Sequence, residues 1–128
     1  MNLVYTYEYD TTYRPPAPMA ELVIGPALGD PTLELIALID SGADATSVPL
    51  RYLEAVGARR SRKAWMRGMT GSSVLIDLYA VAIQLGPYRQ GVLEVVADTL
   101  HVEAIIGRDI LNHLSVTLNG PAFAVVVA

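Results

Sequence analysis

The 128-residue chain contains no cysteine, which excludes disulfides and thiol chemistry. It also lacks any uninterrupted apolar stretch long enough to cross a bilayer as a helix. Its first residues, MNLVYTYEYDTTYRPP, show neither a basic segment nor the apolar segment of a secretory signal. These absences predict a cytoplasmic protein with no membrane partner. Charge is sparse as well: 17% of residues are charged, with a net charge of −4 and a pI near 5.0, a balance that argues against nucleic acid as the main partner. Histidine is limited to His101 and His113, and no third ligand stands at metal-binding spacing, so neither a metal nor another cofactor is expected. There is no internal repeat and no low-complexity segment.

What is present is a hydrophobic content of 52% in a chain long enough for one domain with a real core. Residues 1–17 carry four tyrosines, and the alternation of Tyr5, Tyr7 and Tyr9 has strand period, so this segment reads as an N-terminal arm or edge strand. Residues 19–25 and 32–39 read as two strands joined through a Pro- and Gly-containing hairpin connection. The run at 35–39 is continuously apolar, which predicts a strand buried on both faces, and it delivers Asp40 into the small residues Ser41, Gly42 and Ala43. Ser47 is expected to cap a helix with Pro49 in its first turn, a body over 50–56 and Gly57 as its stop. The basic run 58–67 reads as a solvated strand, and Trp65 within it as a packing residue. Gly68, Met69, Thr70 and Gly71 form a hairpin tip ahead of a long strand over 74–85. A turn over 86–91 and a strand over 92–97 follow. Asp109 is expected to cap a short helix over 110–114. Asn119-Gly120 signals a final hairpin, whose last strand, apolar on both faces, needs a partner on each side. Tyr79 and Tyr88 carry no assignment.

Taken alone, Asp40 is a turn-forming residue at a strand end, and Arg108 with Asp109 a surface ion pair with a helix cap. Two blocks change that reading. Asp40-Ser41-Gly42-Ala43 after an apolar strand resembles the D-[ST]-G-A signature of aspartic proteases. Ala104-Ile105-Ile106-Gly107-Arg108-Asp109-Ile110-Leu111 resembles the apolar-apolar-Gly-Arg-[ND]-x-L block of the retropepsins, and a helix over 50–56 resembles their cellular and bacterial branch. The resemblance covers residues 18–128. It implies an all-β fold, a closed or partly open barrel with a flap hairpin and one or two short helices. It further implies an aspartic endopeptidase in which Asp40 and its mate meet across a homodimer and activate water on a peptide or protein substrate. Ser41, Gly42 and Ala43 would support the site, Asp44 and Arg108 would form a buried structural ion pair, and 68–71 would be the flap. Where the family often has a second acid, this chain has Ala45. A protease-like domain kept for dimerisation or peptide binding without turnover is the alternative, and a nucleic-acid-binding barrel using the basic run the least favoured reading.

Overall fold

The computed structural model describes residues 3–68 and 71–128. Met69 and Thr70, two of the four residues assigned to the flap, lie outside them. The chain forms β1 (Tyr5–Glu8), β2 (Met19–Pro26), β3 (Leu33–Ile39), β4 (Ser47–Pro49), α1 (Leu50–Ala55), β5 (Arg59–Arg67), β6 (Ser73–Leu85), β7 (Tyr88–Asp98), β8 (Ala104–Ile106), α2 (Arg108–Leu111), β9 (Val116–Asn119) and β10 (Ala124–Val127). The fold is therefore all-β with two short helices. No described helix is long and apolar enough to cross a membrane.

Six strands close into a barrel in the order β2-β3-β8-β4-β7-β6, with β6 returning to β2, and β5 hangs from β6 outside the ring. Two of the pairings are parallel, β3 with β8 and β4 with β7. In a closed wall every strand has one face inside, so alternation is imposed even on a continuously apolar run. Leu35, Ala37 and Ile39 point into the core, whereas Ile36 is 61% exposed. β3 is thus buried on one face, not two. Leu22, Ile24, Val81, Ile83 and Leu85 are fully buried at the centre, each contributing about 1.5–3 kcal/mol of transfer free energy.

Several local expectations are corrected by pairing. Ser47 does not cap a helix: 47–49 is a strand, Ser47 opposite Val96 and Pro49 opposite Asp98. Pro49 itself precedes α1, which has no side-chain cap, while Gly57 ends it with an N–H on the Glu54 carbonyl. The turn after β6 is only Gly86-Pro87, because Leu85 already pairs with Tyr88, so β7 begins earlier than 92. α2 is preceded by Gly107, and Asp109 lies within its first turn. Asn119-Gly120 is not a two-residue turn: Asn119 pairs with Ala124 across a loop over 120–123 that places Phe123 at φ 52°. The apolar last strand finds both partners within the chain, since β10 runs between β1 and β9 in a separate three-stranded sheet. The N-terminal segment thus supplies an edge strand.

Candidate active site

Asp40 stands where β3 leaves the barrel wall. Its N–H donates to the carbonyl of Ile106 at 3.0 Å, the last bond of the β3–β8 pairing. The chain then turns, the Ala43 N–H donating to the Asp40 carbonyl at 3.2 Å. The half-buried Asp40 carboxylate accepts from the Gly42 N–H through Oδ1 at 2.9 Å, and Oδ2 meets no donor among the described residues. Ser41 is exposed beside it, its hydroxyl also without a partner among them. A carboxylate held through one oxygen and open at the other can accept or give a proton to something outside the chain.

The second block clamps this loop. Gly107 packs against it so closely that a Cβ there would come within 2.7 Å of the Ala45 backbone carbon and 3.0 Å of the Ala43 carbonyl oxygen. The following Arg108 N–H donates to the Ala43 carbonyl at 2.9 Å. The Arg108 guanidinium reaches the Ser41 carbonyl at 2.8 Å and pairs with the Asp44 carboxylate. The pair therefore forms, but it is not buried: the Arg108 and Asp44 side chains are 43% and 84% exposed. The loop lies outside the barrel strands, and both groups remain in solvent. Ile105 and Ile106 lie on β8, with Ile106 in the core and Ile105 facing the groove beside Gly42 and Ala43.

Thr46 was not singled out by its sequence context, yet it is the buried polar residue of the described chain. Its N–H and hydroxyl donate to the two oxygens of Asp109 at 2.9 and 2.7 Å, and its hydroxyl accepts from the Gly107 N–H at 3.1 Å. Asp109 thus braces the first block rather than capping a helix. The signal available in the sequence was a threonine three residues beyond the first block and an aspartate in the second that was read only as a helix cap.

β5 and β6 form the hairpin over the groove, with Arg67 opposite Ser73 and the Gly68 N–H on the Ser72 carbonyl at 2.8 Å. Gly71 takes φ +84°, a conformation that favours glycine. Beneath the hairpin runs an open groove in two contiguous parts, both lined by Asp44, Ala45, Met66, Arg67 and Val96. Trp65 stands on its rim at 71% exposure. It is not packed as expected, because β5 is the end strand beside β6, outside the closed ring. A separate apolar groove, lined by Ile39, Leu111, Leu114, Val116 and Leu118, opens beside Ser41.

The remaining polar candidates are accounted for locally. The basic strand is a solvated face with Arg62 on Glu94 and Lys63 on Asp77, each at 3.0 Å. His113 stacks on Tyr88, with ring centroids 4.7 Å apart. His101 bonds Asp98 at 2.8 Å. Among the described residues no three acidic or histidine side chains gather as a metal site.

A model of the retroviral aspartyl protease family matches residues 15–119. No curated protein shows significant similarity to the chain. Among solved structures, the fold is similar to that of the EIAV protease complexed with the inhibitor HBY-793, at 24% identity and a TM-score of 0.57 over 76% of this chain and 86% of that one. It is also similar to a retropepsin-like aspartic protease from Rickettsia conorii, at 8% identity and a TM-score of 0.64 over 98% of this chain and 94% of that one.

Proposed function

Because the chain belongs to the retroviral aspartyl protease family, we propose that it is an aspartic endopeptidase that works as a homodimer, each copy supplying one Asp40. The observation that carries this reading is the Asp40 carboxylate itself: half-buried, fixed through one oxygen, open at the other, on a loop held by the second block. One carboxylate cannot serve as acid and base at once, so a second copy must complete the site. The apolar groove beside Ser41 supports that arrangement, because a partner seated there would bring its own 40–42 loop to the same axis.

Two carboxyl groups brought face to face hold one proton between them, since both cannot ionise cheaply at that distance. The ionised member takes a proton from water as its oxygen attacks the scissile carbonyl carbon. The protonated member gives its proton to the carbonyl oxygen, forming a tetrahedral gem-diol. In the collapse the protonated carboxyl gives its proton to the leaving nitrogen as the C–N bond breaks, while the ionised carboxyl takes the proton of one gem-diol hydroxyl whose oxygen becomes the new carbonyl, so the pair ends singly protonated. No covalent intermediate forms. Extended peptide lying between the 67–73 hairpin and the Asp40 floor would be held by main-chain hydrogen bonds, as an added strand. Ser41 would use its free hydroxyl across the axis, and Arg108 would hold the loop in register.

The test is Asp40→Asn. The variant should fold and dimerise, keep affinity for a peptide-like inhibitor, and lose peptide cleavage. Cleavage that survives the substitution removes Asp40 from the mechanism. A wild-type chain that binds peptide and never cleaves it, at any pH, is instead a domain retained for binding.

A further inference from the structure

The groove beneath the hairpin is lined by both signs of charge, and its acids are already engaged. Asp44 is paired with Arg108, Glu94 is held by Arg62 and Ser61, and Asp109 takes two hydrogen bonds from Thr46. Arg62 is engaged by the same Glu94. Arg67 is different. It lines both parts of the groove, at the base of the hairpin, and no carboxylate pairs with it among the described residues. Its neighbours in both parts are Met66, Val96, Ala45 and Asp44, and the Asp44 carboxylate is taken by Arg108. An unpaired guanidinium beside apolar surface offers a planar fork of donors for a carboxylate.

Resting on the peptidase reading, we propose that Arg67 is a specificity-determining residue, which takes the carboxylate of an Asp or Glu side chain of the substrate peptide. Ala45 favours the same class, because it adds no second acid to that lining beside Asp44, whose carboxylate is neutralised by Arg108. The stems of Met66 and Val96 would cover the methylenes of the incoming side chain. The chain's net charge of −4 makes such a preference one that overall electrostatics would not produce.

The experiment uses the full chain and a peptide series in which Glu, Gln and Lys are placed in turn at each position flanking one cleaved bond. At one position the Glu peptide should exceed the Gln peptide in kcat/KM by about fivefold, through KM, and the ratio should shrink as salt rises. Arg67→Gln should bring the ratio near one and Arg67→Glu should turn it toward Lys. Arg59→Gln, on the same strand but outside the groove, should keep it. Affinities of an uncleavable peptide carrying Glu or Gln at that position supply a second reading that needs no turnover. Peptides cleaved with no acidic preference at any position, or a preference that survives Arg67→Gln, overturn the assignment and leave the peptidase reading standing. Tighter binding of the Glu form without cleavage supports the assignment and overturns the peptidase reading. Neither binding nor cleavage overturns both.

Discussion

Replacing Thr46 by valine keeps the side chain's shape and removes its hydroxyl. One oxygen of the half-buried Asp109 then loses a donor, and the Gly107 N–H, in the interior, loses its acceptor. An unsatisfied buried group costs about 1–3 kcal/mol, so Thr46→Val should lower stability by roughly 2–3 kcal/mol, read as a drop in denaturation midpoint without a change in m. Arg108→Ala should be milder for the fold. Its partner is a solvent-exposed carboxylate, so the loss is about 1 kcal/mol rather than the several expected of a buried pair. Turnover should suffer more, on the order of tenfold or beyond, because the Ser41 carbonyl is released and the Asp40 loop loses its register. Equal losses in stability and activity would show that Arg108 has no positioning role. The sequence made both blocks legible because their residue types are restricted by chemistry and close packing. It hid the depth of the ion pair and the role of Thr46, since burial of a polar side chain depends on what the barrel brings opposite it.

Among the elements, the start of the segment joining β7 to β8 is held by the Asp98 side chain. Asp98 accepts from the N–H groups of Leu100 and His101 at 2.8 and 3.2 Å and from the His101 ring at 2.8 Å. Burial alone would raise its pKa. The Leu100 N–H and the two His101 contacts outweigh that, and the carboxyl is held below its ordinary 3.8. A depressed carboxylate stabilises the fold above its unfolded pKa and loses that contribution as pH falls through the folded value. The stability gap between the wild-type chain and Asp98→Asn should therefore be full near neutral pH and close as melts are taken down from about pH 5 to about pH 2. A gap that is constant with pH would mean Asp98 acts only by shape. Most elements were readable, the longer strands and both helices from their residue runs and glycines, but the three-residue β8 was not read as a strand. Element type failed at 47–49, where Ser and Pro imitate a helix start. The parallel partner that makes them a strand lies in β7, remote in sequence.

For the whole molecule, the expected working unit is a pair of chains. Leu118 is 53% exposed in the chain alone, on β9 at the groove beside Ser41. A charge there should be tolerated by the single chain and rejected by a partner. Leu118→Glu should keep the melting behaviour of the isolated fold, sediment as a monomer and lose cleavage, while wild-type activity should fall faster than linearly on dilution below the dimer constant. A dimeric, active Leu118→Glu would place the interface elsewhere. The apolar last strand calls for a neighbour on each edge, one of them beyond its hairpin partner β9. That edge is filled by β1, so the sequence correctly marked a strand in need of neighbours and could not say which chain would supply them.

The placement of β1 also bears on how the fold is reached. Tyr5 lies opposite Val127 and Glu8 opposite Ala124, so the earliest strand pairs with the latest. During synthesis β1 must wait, unpaired, until residues 124–127 have been made. Pairings between such distant residues are closed late and slowly, because loop-closure entropy is lost before any contact compensates for it. The barrel of β2 to β8 can assemble from nearer partners first, and the small terminal sheet then locks onto a preformed body. Since Leu118 and the groove beside Ser41 belong to that late region, the surface for a second copy would mature last, and a nascent chain would be kept from assembling into an active pair before its own barrel is complete.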